Sequence, residues 1–269
     1  MAILNVEHRG PVAWVTLNRP EKLNAINDEL VDKLLETLDI LARDDDLLAM
    51  VVTGSGQAFS AGFDLAEDPG AHNADSDGWH RILRRDVAVT MALWEFPLPT
   101  IAAVKGWCLA GGCELAMACD IVVASEDARF GEPEIRYGSG PTTLLMPFIL
   151  GQKKTNELLY TGDTLNATDA ERLGLINRVV PLSELERSVT ELASRIALTP
   201  SKVLRLTKLA IKRAYEAKGL REAVNANLDL SAILNSAAVP EREAFTEIVR
   251  TKGLREALAW RDGRYGSPL

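Results

Sequence analysis

The chain is expected to fold as an α/β protein whose last part is all helical, and three observations carry that expectation. Residues 48–53 and 100–104 are continuous apolar runs, the pattern of strands buried on both faces. Helical periodicity surrounds them, with Leu30, Leu34, Leu35, Leu38 and Leu41 in one segment and Ile82, Leu83, Val87 and Met91 in another. From Ser183 onward every segment reads as helix, which places a boundary near Thr199-Pro200-Ser201.

The elements follow in order. Residues 3–7 and 12–17 alternate in polarity around Arg9-Gly10-Pro11, a hairpin signal. A polar loop from Asn18 to Asn27 leads to a helix capped by Asn27 or Asp28 and ending near Arg43. Asp44, Asp45 and Asp46 form a solvated turn rather than a metal site. After strand 48–53, Gly54-Ser55-Gly56 lacks the GK[ST] of a phosphate loop, yet Ala61-Gly62 follows sooner than a simple turn requires. Residues 67–78 read as a loop. His72 and His80, with Asp75 and Asp77 between them, lack ligand spacing and are read as solvent-exposed. Residues 79–96 form a helix stopped by Pro97 and Pro99.

Residues 106–134 combine an apolar strand, a glycine-rich bend, an apolar helix bearing Glu114, a further strand, and a turn bearing Glu134. Gly111 and Gly112 allow a sharp bend and a close ligand approach. Glu114 in the first helical turn is favoured by the helix dipole, which leaves the glycine pair before it unexplained. Beyond lie helical patterns at 143–150, 156–160 and 167–173, and a strand at 176–180. In the tail, Val203, Leu206, Ala210 and Ala214 alternate with Lys202, Arg205, Lys208, Lys212 and Arg213, an amphipathic helix with a solvated basic face.

Composition bounds the function. The 269 residues are 47% hydrophobic, enough to bury a full core. A net charge of −8 repels polyanions, so nucleic acid is not expected as a partner. The N-terminus lacks a basic segment followed by an apolar one, and no apolar run reaches the ~18 residues of a membrane span, so a cytoplasmic location is expected. Cys108, Cys113 and Cys119 are odd in number and lie in an apolar stretch, and are read as buried thiols, with no metal and no disulfide.

Four segments together resemble the crotonase superfamily, and within it an enoyl-CoA hydratase. They are Asn18-Arg19-Pro20 with Asn24-Ala25; Ala58-Phe59-Ser60-Ala61-Gly62-Phe63-Asp64-Leu65; Gly111-Gly112-Cys113-Glu114-Leu115-Ala116; and Phe130-Gly131-Glu132-Pro133-Glu134. The match covers nearly the whole length. It implies a spiral core of repeated ββα units over 1–199, and over 200–269 a C-terminal helical region for trimerisation, in a homotrimer or dimer of trimers.

The resemblance also implies roles. The N–H groups of Phe63 and Gly111 would form an oxyanion hole for the thioester oxygen of an acyl-CoA. Glu114 would activate water and Glu134 would protonate the α-carbon. Leu23, Ala25, Ala61, Phe63, Asp64, Leu65, Ala66 and Gly111 would hold the coenzyme A substrate, with no permanent cofactor. Retention of both glutamates favours hydration over isomerisation, and so a lyase, an enoyl-CoA hydratase; the alternative is an isomerase or a dienoyl or aromatic acyl-CoA hydratase of the same superfamily. The different class is a non-catalytic, RNA-associated module, against which the net charge and the intact glutamate pair both weigh. One segment departs from the resemblance. Ile135-Arg136-Tyr137-Gly138-Ser139-Gly140-Pro141-Thr142-Thr143 stands where many such hydratases carry Pro-Gly-x-Gly-Gly, and Arg136 and Tyr137 either line the acyl site or pack away from it.

Overall fold

The computed structural model describes residues 2–66 and 74–266. His72 lies outside them. A six-stranded sheet has the order β1-β2-β3-β4-β6-β9, from β1 (Leu4–Arg9), β2 (Val12–Leu17), β3 (Ala49–Gly54), β4 (Thr100–Val104), β6 (Ile121–Ser125) and β9 (Arg178–Val180). Only the β1–β2 hairpin is antiparallel in it. A second sheet joins β5 (Trp107–Leu109), β7 (Arg129–Gly131) and β8 (Leu165–Asn166).

Alternation along the strands divides the core in two. Ala13, Val15, Met50, Val52, Ala102 and Val104 face the larger cluster. Their neighbours Trp14, Val51, Ile101, Ala103 and Val123 face α7 (Leu185–Ile196), which contributes Leu185, Val189 and Ala193. Both faces are thus covered, which is why the central strands read as unbroken apolar runs. Helix α1 (Asp28–Ala42) is capped by Asn27, whose side chain accepts from Leu30 N at 3.1 Å. Helix α2 (Ser76–Glu95) begins earlier than the periodicity suggests because Asp75 caps it, accepting from Gly78 N at 2.8 Å.

The remaining helices are α3 (Gly111–Ala118), α4 (Met146–Leu150), α5 (Gln152–Thr161), α6 (Ala167–Leu173), α8 (Ser201–Ala217), α9 (Leu220–Ser236), α10 (Pro240–Lys252) and α11 (Leu254–Gly263). Three expectations are corrected. Helix α3 starts at Gly111 itself, and the sharp bend falls one residue earlier, on Ala110, at φ 52° and ψ −132°. Residues 143–145 stay out of α4, since Thr143 is held by Glu114 and Leu144 takes φ 57°. On α8 the basic face is not uniformly solvated. Lys208 is 6% exposed, its Nζ donating to Leu98 O at 2.9 Å and Asp120 at 2.6 Å, while Val203, Leu206 and Ile211 lie exposed in the single chain.

Helix α9 packs on α2, and α10 and α11 pack on each other and on the 3₁₀ segment Pro133–Tyr137. No helix among the described residues is long and apolar enough to cross a membrane.

Candidate active site

Two loops set the mouth of the site. Asn24 is fully buried and its side-chain amide donates to Ser55 O and Ala58 O, both at 2.9 Å, while its Oδ1 accepts from Arg19 N. Ser60 Oγ donates to Asn24 O at 2.8 Å. Arg19 Nη1 reaches Ala25 O at 2.6 Å and Asp64 Oδ2 at 2.9 Å. The Arg19–Asp64 pair is buried on both sides, so removing one partner alone is expected to cost about 3–5 kcal/mol. These bonds fasten the 19–25 loop to the 58–64 loop.

The second loop is brought against α3. Gly62 has φ 94°, and a Cβ there would fall 2.5 Å from Ala110 Cβ and 3.3 Å from Gly111 N. A Cβ on Gly112 would strike Ser60 O at 2.6 Å, and one on Gly111 would strike the Phe63 ring. The glycine pair is therefore required for room, since the positive φ falls on Ala110 and not on Gly111 or Gly112. Neither the Phe63 N–H nor the Gly111 N–H has an acceptor among the described residues. Gly62, the residue before Phe63, closely approaches Gly111, and the Gly111 N–H lies at the start of α3, where the helix dipole adds to it.

A cavity of ≈ 880 Å³ runs from these loops to the C-terminal helices. Leu23, Ala25, Ala61, Phe63, Asp64 and Leu65 line it; Ala66 and Gly111 do not. Glu134 lines it as well, with Oε2 buried and without a hydrogen-bond partner among the described residues. Burial, followed by repulsion from Glu114, pushes the Glu134 carboxyl up to about 8.

Glu114 sits beneath the lining, 0% exposed, with both oxygens engaged. Thr143 N donates to Oε1 at 2.6 Å and Thr143 Oγ1 donates to Oε2 at 2.9 Å. Burial raises this carboxyl above the usual range, and the donors from residues 142–144 pull it back. The two glutamates thus share burial but differ in partners. Glu114 is supplied with donors that suit the ionised form, and Glu134 is left in the state that favours the proton.

Several residues here carry no signal in the sequence alone. Glu132, 1% exposed with neither oxygen partnered among the described residues, is a third buried carboxyl, held well above the usual range by burial and then by Glu114 and Glu134. Thr143 carries a helical pattern in the sequence but lies outside α4. Phe245, Leu254 and Leu258 of α10 and α11 complete the cavity wall, which the tail's periodicity could not indicate. Tyr137 lines the cavity and stacks on Phe245 with ring centroids 4.9 Å apart. Arg136 packs away from it, donating to Thr161 O at 3.0 Å and Asp163 at 2.6 Å. The three cysteines are buried and free. His80 pairs with Asp229 at 3.2 Å, and no metal-binding group of three or more His, Cys, Asp or Glu occurs among the described residues.

The protonation of Glu134 carries a stability consequence. Its folded pKa of about 8 lies above the unfolded value of 4.5. Stability associated with the proton is present in full below pH 4.5 and is lost as pH rises through about 8. Glu134→Gln has no proton to lose. Its melting temperature relative to the parent is expected to climb between those pH values and level off above them; a difference that stays flat across the window in calorimetry would contradict the protonated assignment.

Comparison with known proteins agrees with this architecture. The family model described as enoyl-CoA hydratase/isomerase matches residues 7–247. A crystal structure of an enoyl-CoA hydratase/isomerase from Xanthobacter autotrophicus Py2 superposes with a TM-score of 0.94 at 40% identity, covering 98% of both chains. The chain belongs to the enoyl-CoA hydratase/isomerase family and has the crotonase fold. Among individual relatives, it is 39% identical over 219 residues to a probable mitochondrial enoyl-CoA hydratase of Dictyostelium discoideum, covering 78% of this chain and 75% of that one. It is also 34% identical over 257 residues to a short-chain-enoyl-CoA hydratase of Clostridium acetobutylicum, covering 94% and 92%.

Proposed function

We propose that the protein is a lyase, an enoyl-CoA hydratase that adds water across the double bond of a 2-enoyl-CoA thioester. The observation that carries this reading is the pair of buried carboxyls in opposite hydrogen-bonding states, Glu114 with both oxygens accepting from Thr143 and Glu134 with Oε2 unpartnered at the cavity wall. Hydration needs one base and one acid at the same pH, and this asymmetry supplies both.

Substrate would enter with its pantetheine arm along the wall made by Leu23, Ala25, Ala61 and Leu65, and its thioester oxygen at the N–H groups of Phe63 and Gly111. Water loses a proton to Glu114 as its oxygen bonds to the β-carbon. The electron pair of the double bond moves toward the thioester, whose oxygen gains charge against the two amides. Glu134 then gives its proton to the α-carbon. At the end of the turnover Glu114 holds the proton and Glu134 is ionised, so a proton must return from one to the other through solvent before the next cycle. Because the acid form of Glu134 is lost as pH rises, the rate is expected to fall on the alkaline side near pH 8, as an apparent value for the coupled pair.

The same reading includes an assembly of three chains or of two such trimers. What supports it is the exposed apolar set on α8 and α9, with Leu206 56%, Leu230 65% and Ile233 60% exposed in the single chain, a pattern that calls for a partner surface. Sedimentation analysis reads the assembly directly.

Incubation with a panel of 2-enoyl-CoA thioesters of graded length, followed by mass analysis, tests the activity. Gain of one water is the expected product. A shifted double bond without added water would replace hydration by isomerisation, and inertness toward every thioester would remove the enzymatic reading.

A further inference from the structure

We infer that Thr143 is a positioning residue for Glu114, and that Asn227 of α9 holds Thr143 where it acts. The inference rests on the reading of Glu114 as the base. Thr143 closes the segment 135–143, and the structure gives that residue a use.

Three residues of α9 spaced by four, Asn227, Ser231 and Asn235, share one face of the helix. Asn227 Nδ2 donates to Pro141 O and to Thr142 O, both at 2.9 Å. Ser231 Oγ donates to Pro141 O at 3.4 Å, and Ser139 Oγ donates to Asn235 Oδ1 at 3.0 Å. Asn235 is fixed in turn by donating to Ser231 O at 2.8 Å. One helical face therefore pins the 139–142 loop at several points. Immediately after it, Thr143 presents two donors to one carboxylate, and Leu144 takes φ 57°, a conformation a leucine adopts only where its surroundings impose it.

The consequence is chemical. A carboxylate cut off from water and without donors takes up a proton, and a protonated Glu114 cannot accept one from water. A glycine at 143 would supply its amide alone, whereas threonine adds a hydroxyl to the second oxygen. Among the described residues, the other titratable groups around Glu114 supply it with no donor. Glu132 and Glu134 lie on the 132–137 segment, where Glu114 raises both carboxyls, and Cys113 precedes it on α3. Asp86 of α2 reaches the cavity wall, and Arg261 of α11 acts on Glu134. Neither α4 nor β5, which also pack on α3, carries a charged side chain. The donors of the 142–144 loop are thus what counters burial at Glu114.

Thr143→Val keeps the branched shape and removes the hydroxyl; Thr143→Ser restores it; Asn227→Leu releases the loop while leaving Thr143 intact. Infrared difference spectra across pH, with the Glu114 band assigned by its loss in Glu114→Gln, read the ionisation of Glu114 without reference to activity. In Thr143→Val the Glu114 midpoint is expected to rise by about one pH unit or more, the scale of a hydrogen bond to a charged group. Thr143→Ser should bring it back toward the parent, and Asn227→Leu should move it the same way by less. The acid limb of kcat/KM on a 2-enoyl-CoA should move with it, lowering kcat/KM about tenfold below the shifted midpoint, with little change in KM. If Thr143→Val does not fold, Asn227→Leu carries the same measurement. An unmoved Glu114 midpoint in the folded variants overturns the positioning role. A midpoint that moves while the activity profile stays in place upholds the positioning role and removes Glu114 from the chemistry.

Discussion

Glu114→Gln and Glu134→Gln are each expected to lower hydration by about 10²–10⁴-fold, the range for a positioned acid or base. The two losses arise differently. Gln at 114 can accept with one oxygen only, so it forfeits the base and also leaves one Thr143 donor without its acceptor. Gln at 134 keeps the size of a side chain that lines the cavity and removes only the transferable proton. Affinity for a saturated acyl-CoA, which cannot be hydrated, should therefore change little in either variant. The double variant should be scarcely slower than the worse single one, since both residues serve one proton-transfer unit. Steady-state kinetics with calorimetric binding of the saturated thioester separates these terms. Turnover close to the parent in either single variant would take that residue out of the mechanism.

What the sequence made legible was governed by short-range rules. The continuous apolar runs of β3 and β4 are buried on both faces, and the two cores on either side follow from their alternation. Asn27 caps its helix because an Asx side chain satisfies a free N–H three residues on, a matter of local geometry alone. Contacts from far along the chain were not legible. Residues 143–150 carry a helical pattern, but Thr143 is held out of the helix by a carboxylate 29 residues earlier, and residues 141 and 142 just before it are held by a helix more than 80 residues later. Lys208 is drawn inward from an otherwise basic face by Asp120, a partner 88 positions away.

The site follows the same division. Gly111, Gly112 and Glu114 are conspicuous because a glycine pair before a buried helix is hard to explain by propensity, and the structure puts the Phe63 ring and Ser60 where side chains would otherwise be. Glu132 is invisible by that test, because a carboxylate two residues before another reads as a solvated turn until burial is known. The C-terminal helices are the strongest case. Their periodicity announces amphipathic helices and nothing of what they cover, yet Tyr137 meets Phe245 of α10, and Leu254 and Leu258 of α11 face the cavity. The α10 and α11 side of that cavity is therefore walled by the region whose sequence carries the fewest chemical cues.

Gly111→Val is expected to slow hydration by about 10²-fold or more, the scale of losing one oxyanion donor, although residue 111 has no side-chain chemistry. The argument is steric. A Cβ at 111 would overlap Cε2 and Cδ2 of Phe63, and valine adds two methyl groups beyond it. Phe63 can yield only by turning its ring into the cavity or by shifting its own backbone, and its N–H is the other proposed donor. One substitution thus disturbs both amides. Backbone strain is not the cause, since Gly111 lies in the first turn of α3 and the positive φ belongs to Ala110. Gly111→Ala should consequently lose less, as a single methyl asks for a smaller displacement of the ring. Folding and assembly are checked by circular dichroism and sedimentation before kinetics are compared, and a folded Gly111→Val protein with the parent's rate would remove the donor pair from the mechanism. Where the variant does not fold, the parent answers the question through difference Raman spectra of a bound acyl-CoA. Two amides aimed at the thioester oxygen should lower its carbonyl frequency, and an unshifted band would mean that the oxygen does not sit between Phe63 and Gly111.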